Sequence, residues 1–276
     1  MYQEIQLEIA DPVATITLDR PQALNAWTTR MGAEVKHALA AAERDTRVVG
    51  IVITGAGRGF CAGADLNDLR SMTEGRYRDE AAPELAADPG DPEAGESFRG
   101  TYTYLASIRK PVIAAINGPT AGMAVPIALA CDLRYASERA TFTTAFSRRG
   151  LIAEWGISWL LQRVCGTAHA LDVLLSARKF DAAEAARIGL VNRVVPHDEL
   201  LPFVRGYVED LAANCSPASM AIMKRQVWQH WTSELGPAER EAVALMLESF
   251  ERPDFREGVT SFLEKRLPRF RRIGDG

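Results

Sequence analysis

The stretch over residues 112–131, VIAAINGPTAGMAVPIALAC, has the features best suited to holding a negative charge. It carries no charged residue, but its glycines and prolines would break a membrane-spanning helix several times. We predict a buried strand over 112–116, a tight turn over 117–122 and a buried helix from Met123, with Pro126 in the first turn. Backbone N–H groups at the start of such a helix have no intrahelical partner, so they can bind a developing anion.

One carboxylate, Glu154 in GLIAEWGIS, is a candidate group for proton transfer. Its neighbours between residues 151 and 157 are mostly apolar, and a carboxylate in such surroundings retains its proton more readily. The alternative is a structural role, in which Glu154 caps the following helix or pairs with Arg148 or Arg149.

The histidines and cysteines give no support for a metal site or a Ser/His triad. Four of each are scattered without ligand spacing and without a CxxC pair, which indicates reduced thiols of a cytoplasmic protein. Gly55, Gly57 and Gly59 lack the G-x-G-x-x-G spacing of a dinucleotide fold. We therefore predict no metal and no cofactor.

Composition excludes several classes of function. The chain has 276 residues, 47% of them hydrophobic, and a net charge of −4, so we expect neither nucleic acid nor a membrane as partner. The N-terminus does not resemble a signal peptide. The C-terminal basic cluster is either a solvated tail or a local site for an anion; its members are Lys265, Arg266, Arg269, Arg271 and Arg272.

The elements that would position these groups alternate between strands and helices, which predicts an α/β fold with parallel strands. A hairpin is predicted over residues 5–18, with a helix capped by Thr28 or Thr29 after it. Residues 71–97 are acidic and predicted to be partly helical or a mobile lid, and 98–108 to be helical. The other predicted strands cover residues 48–54, 132–136, 140–144 and 190–195, and helices are predicted to begin at Leu66, Ile157, Leu171 and, capped by Asp181, Ala182. From Asp198 the sequence is almost wholly helical, so we divide the chain into a core with the active site (1–197) and a helical lobe (198–276).

Four motifs, in this order, resemble those of the crotonase (enoyl-CoA hydratase/isomerase) family and span essentially the whole chain. They are LDRPQALNAW (18–27), GFCAGADL (59–66), INGPTAGMA (116–124) with ACDLRYA (130–136), and FLEKRLPRF (262–270). The resemblance implies a spiral of ββα units with a helical C-terminal trimerisation lobe. It also implies a homotrimer or a hexamer of two trimers, acyl-CoA thioesters as substrates and a place in fatty acid metabolism.

The resemblance further implies an oxyanion hole for a thioester enolate, made by the backbone N–H groups of Ala64 and Met123. Removing one such preorganised donor costs roughly 3 kcal/mol of transition-state stabilisation. Coenzyme A would be part of the substrate, with Lys265 on a phosphate. The implied CoA contacts are Ala23, Leu24, Ala26, Ala62, Gly63, Asp65, Leu66, Gly122, Phe262 and Lys265.

The chain departs from the family pattern where typical hydratases carry two glutamates that position and activate water. Pro126 and Phe146 stand at those positions, and neither can transfer a proton. Glu154 resembles in position the single acid of Δ3,Δ2-enoyl-CoA isomerases. The resemblance therefore implies an enzyme of the lyase or isomerase class acting on an unsaturated acyl-CoA, with Glu154 as its single acid/base. Isomerisation suits one carboxylate better than hydration.

Two alternatives stay open. A crotonase-type hydrolase of β-diketones, without CoA, would need a histidine in the site, and none lies on these motifs. A catalytically inactive acyl-CoA-binding protein is consistent with the loss of both usual glutamates.

Overall fold

The computed structural model describes residues 2–76 and 82–274. None of the helices in these two ranges is both long and apolar enough to span a bilayer. The strands are β1 (Ile5–Ala10), β2 (Val13–Leu18), β3 (Gly50–Gly55), β4 (Val112–Ile116), β5 (Thr120–Ala121), β6 (Leu133–Ser137), β7 (Thr141–Thr143), β8 (Phe180–Asp181) and β9 (Arg193–Val195). The α-helices are α1 (Thr29–Arg44), α2 (Leu66–Thr73), α3 (Ala124–Ala130), α4 (Ile157–Cys165), α5 (Thr167–Ser176), α6 (Ala182–Arg187), α7 (Leu200–Asn214), α8 (Pro217–His230), α9 (Leu235–Phe250) and α10 (Pro253–Glu264).

The strands form two sheets, and the predicted α/β class with parallel pairing is confirmed. The larger sheet has the order β1-β2-β3-β4-β6-β9, antiparallel only at the β1–β2 hairpin. The smaller sheet has the order β5-β7-β8 and begins in the turn between β4 and α3.

Both faces of the larger sheet are buried, which explains the continuous apolar runs of its central strands. Along β3, Ile51 and Ile53 face the main core, whereas Val52 belongs to a second cluster on the other side. Helix α7 covers that second side with Val204 and Val208. The division of the chain at residue 198 stays a prediction.

The predicted helix ends are confirmed where a side-chain cap defined them. The Thr28 hydroxyl accepts from the Met31 N–H at 3.0 Å, and the Asp181 carboxylate accepts from the Glu184 N–H at 2.8 Å. Pro126 is the third residue of α3, within the first turn, where its missing N–H costs no helical hydrogen bond.

The helix predicted over residues 98–108 is wrong. Short 3-10 turns, Glu96–Phe98 and Thr103–Ser107, stand in its place. Gly100 separates them, and its N–H donates to the Thr103 hydroxyl at 3.1 Å rather than to a helical carbonyl.

The acidic segment 71–97 is partly helical over the residues that are described; residues 77–81 lie outside them. After α2 it contains 3-10 turns at Pro83–Leu85 and Pro92–Ala94. Its far end is fixed by the buried Glu43 carboxylate, which accepts from the N–H groups of Gly90 and Arg109, both at 2.8 Å. This part is therefore anchored to α1.

Strand β9 is shorter than predicted because residues 190 and 191 complete the end of α6. Their N–H groups both donate to the Ala185 carbonyl, at 2.8 and 3.3 Å, so they cannot join the sheet.

Candidate active site

The backbone around Ala64 pairs with the backbone of Trp27. The Trp27 N–H donates to the Gly63 carbonyl at 2.7 Å, and the Asp65 N–H donates to the Trp27 carbonyl at 2.9 Å. Because successive peptide groups of an extended chain point to opposite sides, the N–H of Ala64 itself points away from Trp27. Across residues 2–76 and 82–274, no acceptor is bonded to it. Ala64 thus offers an unused backbone donor.

On its other side, the same segment pairs with the turn that precedes α3. The Ala121 N–H donates to the Cys61 carbonyl at 3.0 Å. The pairing ends at Gly122, whose N–H donates to the Thr143 carbonyl at 3.0 Å. Met123 follows as the N-cap of α3, so its N–H has no carbonyl one turn earlier in the helix.

Two glycines bring these turns into direct contact. Gly63 and Gly122 both have left-handed backbones, with φ of +97° and +53°. A β-carbon added to Gly63 would lie 3.0 Å from the Ala121 carbonyl oxygen and 3.8 Å from the Gly122 α-carbon. Ala64 and Met123, the residues that follow these glycines, therefore lie in the same neighbourhood.

Two buried asparagines hold the glycine-rich loop over residues 55–59 beneath these turns. The Asn25 amide donates to the Gly59 carbonyl at 2.8 Å, and the Asn117 amide donates to the carbonyls of Gly57 and Gly59 at 3.0 and 3.2 Å. Gly118 must be glycine here, because a β-carbon would lie 2.0 Å from a backbone oxygen of this loop. The glycines permit close approach of backbone segments, so the loop is a structural support.

An arginine joins the first two motifs. The Arg20 guanidinium forms an ion pair with Asp65 at 2.9 Å, donates to the Ala26 carbonyl at 2.6 Å and lies 3.3 Å from a Glu4 carboxylate oxygen. Asp65 also caps α2 by accepting from the Asn67 N–H at 2.8 Å. The Asp65 carboxylate is thus fully engaged in holding the backbone in place.

Sequence reasoning missed Arg20, Asn25 and Asn117 as residues that shape the site. A signal existed for each asparagine. Asn25 has a left-handed backbone (φ +56°), which asparagine tolerates better than most residues, and Asn117 precedes a glycine at the end of a buried strand.

The positions of the two usual glutamates are apolar and enclosed. Pro126 is buried within α3, and Phe146 is buried beside the main core. No proton-transfer group can come from either position.

Glu154 lies in the turn before α4, and both structural alternatives for it are wrong. The N-cap of α4 is Gly156, without a side-chain cap. Arg148 and Arg149 donate to backbone carbonyls and not to Glu154. Over the described parts of the chain the half-buried Glu154 carboxylate forms no ion pair or hydrogen bond.

The apolar enclosure expected around Glu154 is wrong for a single chain. Ile157 is buried, but Leu151, Ile152 and Trp155 are exposed. Trp155 and Gly156, which follow Glu154, both have left-handed backbones (φ +57° and +76°).

Three aromatic rings connect the two halves of the site. Trp27, which pairs with the Ala64 backbone, contacts Tyr102 edge-to-face with centroids 5.7 Å apart. Tyr102 contacts Trp155, the neighbour of Glu154, edge-to-face at 5.4 Å. No local pattern predicts this aromatic series, because its members are far apart in the chain.

The residues expected to contact CoA fall into two groups. Those on the first three motifs share the paired backbone segments described above; they are Ala23, Leu24, Ala26, Ala62, Gly63, Asp65, Leu66 and Gly122. The other two, Phe262 and Lys265, lie at the end of α10 with exposed side chains that form no ion pair with any described residue. Among the described residues, no hydrogen bond or ion pair joins the two groups.

Other titratable groups near the site differ in what they can do. Burial raises the pKa of the Cys61 thiol to about 12, so it stays a protonated, unreactive thiol. Burial and the nearby Asp65 charge raise the pKa of Asp68 in the first turn of α2. Among the described residues there is no cluster of His, Cys, Asp or Glu that could hold a metal ion.

Comparison with known proteins agrees with this geometry. The model of the family "Enoyl-CoA hydratase/isomerase" matches residues 8–272. The chain is 38% identical to a probable enoyl-CoA hydratase of Rhodobacter capsulatus, over 98% of both proteins. It is 35% identical to the 1,2-epoxyphenylacetyl-CoA isomerase of Escherichia coli, over 98% of this chain and 99% of the relative. A crystal structure of an enoyl-CoA hydratase subunit of Geobacillus kaustophilus superposes with a TM-score of 0.83, at 31% identity and 99% coverage of each chain.

Proposed function

The chain belongs to the enoyl-CoA hydratase/isomerase family, and we propose that it shifts a double bond in an unsaturated acyl-CoA through a thioester enolate. The observation that carries this proposal is the contact between the Gly63 and Gly122 turns. It puts two backbone segments beside one another, and within residues 2–76 and 82–274 no acceptor is bonded to the N–H of Ala64 or of Met123. An enolate oxygen requires such a pair of free donors.

In the proposed site, the N–H groups of Ala64 and Met123 donate to the thioester oxygen. Removing a proton from the carbon next to a thioester places negative charge on that oxygen. Fixed donors stabilise this charge without reorganising, so each contributes roughly 3 kcal/mol to lowering the barrier. The Met123 side chain shapes the pocket, while only its N–H is needed for charge stabilisation.

Glu154 is the proposed acid/base. As a carboxylate it removes a proton from one carbon of the acyl group, and the electron pair moves into the enolate. As a carboxylic acid it returns the same proton to another carbon, so the double bond changes position with no net gain or loss of protons. A single unpaired carboxylate is sufficient for this sequence of steps.

The residues at the two usual glutamate positions, Pro126 and Phe146, favour isomerisation over hydration. Adding water across a double bond requires groups that position the water and transfer its proton, and both usual positions are apolar here. Hydration would require Glu154 to perform every step.

Coenzyme A is proposed to lie along the loops over residues 23–26 and 62–66. Phe262 and Lys265 would complete its site from a neighbouring subunit, with the Lys265 ammonium on a phosphate. The exposure of both side chains in a single chain supports this arrangement. The proposal includes no cofactor besides the coenzyme A that is part of the substrate.

Assembly into a homotrimer or a hexamer is proposed as well, together with a cytoplasmic location. Large apolar side chains are exposed on the C-terminal helices, more than a monomer normally leaves in water. They include Met223, Val227, Leu235, Val243, Met246, Leu247, Phe250, Phe255, Val259 and Phe262.

An inactive acyl-CoA-binding protein is the second candidate, favoured by the apolar residues at both usual glutamate positions. A β-diketone hydrolase is less well supported, because none of the four histidines lies on the motifs that form the candidate site. Three of them, His37, His197 and His230, are hydrogen-bonded to Tyr2, Ser137 and Glu241.

The test offers purified protein 2-enoyl-, 3-enoyl- and 2,4-dienoyl-CoA thioesters of several chain lengths. Conversion of a 3-enoyl-CoA to the conjugated 2-enoyl-CoA is expected. Binding without turnover of any substrate would favour the inactive protein. Failure to bind any acyl-CoA would contradict both the isomerase and the inactive acyl-CoA-binding protein. The β-diketone hydrolase would then be the remaining candidate.

A further inference from the structure

The aromatic series formed by Trp27, Tyr102 and Trp155 runs along the proposed reaction path. It begins at the backbone of Ala64, a proposed enolate donor, and ends at the residue after Glu154, the proposed acid/base. The acyl carbons must reach from the first group to the second. They would therefore pass beside this series.

The outermost ring is exposed but fixed in orientation. Trp27 and Tyr102 are buried, with 6% and 8% of their surfaces exposed, whereas 44% of Trp155 is accessible. Tyr102 holds the indole edge-to-face, with the two ring planes at 69°. An oriented, accessible indole is a preorganised surface, because little side-chain freedom is lost when a ligand contacts it.

The backbone conformation of Trp155 is unfavourable, so the orientation of its ring is maintained at a cost in conformational energy. A φ of +57° is unusual for a bulky residue, and glycine would adopt it more easily. Its contact with Tyr102 offers a physical reason for tryptophan to be retained at this position, and strained positions of this kind occur preferentially at functional sites.

We propose that Trp155, oriented by Tyr102, is a specificity-determining residue that selects acyl groups bearing an aromatic ring over flexible aliphatic chains of the same carbon number. The inference rests on the proposed acyl-CoA function. A planar ring can stack on the indole or meet it edge-to-face, and such aromatic pairs contribute more than their buried area alone. A saturated chain gains only the free energy of burying its apolar surface, and it loses more conformational freedom on binding.

Equilibrium binding tests the inference without requiring turnover. Calorimetry would compare phenylacetyl-CoA with octanoyl-CoA, which carry the same number of acyl carbons. The preference for the aromatic ligand is the Kd of octanoyl-CoA divided by the Kd of phenylacetyl-CoA. In Trp155→Leu this ratio should fall about 3- to 10-fold. Trp155→Phe should retain most of it. Tyr102→Leu should also lower the ratio, because the indole loses its support.

The matched control is Trp231→Leu, which removes a tryptophan from the separate cluster with Trp159 and Trp228. Its ratio should equal that of the wild type. An unchanged ratio in Trp155→Leu and Tyr102→Leu, with both ligands bound, would overturn the inference and leave the proposed function intact. If the wild-type chain binds neither thioester, the proposed function fails and the inference fails with it.

Discussion

Gly63 and Gly122 face one another so closely that a β-carbon added to Gly122 would lie 3.9 Å from the α-carbon of Gly63. The two residues are far apart in the chain, and the N–H of the residue after each, Ala64 or Met123, has no acceptor among residues 2–76 and 82–274. Their contact joins two motifs into one candidate oxyanion hole.

The two glycines should respond differently to alanine. At Gly63 the new methyl group meets the Ala121 carbonyl oxygen at 3.0 Å and the backbone is left-handed, whereas at Gly122 only the backbone is unfavourable. We expect Gly63→Ala to lower kcat/KM at least 10-fold more than Gly122→Ala. Each variant should lose about 1–2 kcal/mol of unfolding free energy from the left-handed backbone. Steady-state kinetics with urea unfolding checks this, and equal kinetic losses would contradict the proposed close contact.

Replacing Asn117 by aspartate should destabilise the loop beneath the site. The Asn117 amide donates to the carbonyls of Gly55, Gly57 and Gly59, and a carboxylate there would face three acceptors. We expect a loss of about 3 kcal/mol in unfolding free energy, since the variant buries an unsatisfied charge. Chemical denaturation measures it, with Asn192→Asp as the matched control, because the exposed Asn192 side chain accepts from the Arg134 N–H through its oxygen and a carboxylate can accept in the same way. A loss below 1 kcal/mol would show that the amide is not needed.

The anchor of the acidic segment should depend on the Glu43 carboxylate. In Glu43→Gln, an amide nitrogen replaces one of the two oxygens that accept from the Gly90 and Arg109 N–H groups. We expect a cost of about 2 kcal/mol and faster amide exchange at these two positions. Hydrogen exchange read by mass spectrometry tests this, beside the exposed Glu199→Gln. Equal exchange in both variants would mean that the segment is held by other contacts.

The unfolding free energy should vary with pH partly because Lys110 is buried. Burial lowers the pKa of Lys110 to about 8, and its ammonium donates to the carbonyls of Ala42 and Asp45. In the unfolded chain a lysine titrates near 10.4. Between these values the unfolded state binds more protons, so Lys110 adds stability as pH rises. Burial of Cys61 and Cys131 raises each pKa to about 12, and those thiols act in the opposite direction above pH 8.5.

Comparison of variants separates these opposing contributions. The unfolding free energy of Lys110→Met should fall more steeply from pH 7 to pH 10 than that of the wild type. The exposed Lys179→Met should follow the wild type. Parallel curves for all three proteins would contradict the lowered pKa of Lys110.

Local sequence signals predicted the elements well, and long-range contacts explain the failures. The caps at Thr28 and Asp181 and the turn at Pro126 depend on neighbouring residues, so the helix boundaries that they define were predictable. The helix expected near Phe98 depended on periodicity alone, and Gly100 overrode it. The support given by Arg20 and Asn117 involves partners tens of residues away, as does the ring contact between Tyr102 and Trp155. No local pattern reports such contacts.

The proposed role of Glu154 rests on a carboxylate that forms no ion pair or hydrogen bond within residues 2–76 and 82–274, rather than on the apolar surroundings expected for it. In the proposed reaction Glu154 alone moves the proton, so its replacement should lower kcat strongly without weakening binding. Asp68→Asn provides the matched control, because it neutralises a second carboxyl group near the Ala64 segment.

The most direct test is therefore the isomerisation of a 3-enoyl-CoA by Glu154→Gln and Asp68→Asn beside the wild type. For Glu154→Gln we expect a kcat lower by about 10²–10⁴, with the dissociation constant for the acyl-CoA unchanged within about 3-fold. Asp68→Asn should keep wild-type turnover. Wild-type kcat in Glu154→Gln, or loss of turnover in Asp68→Asn alone, would contradict the assignment of Glu154 as the acid/base.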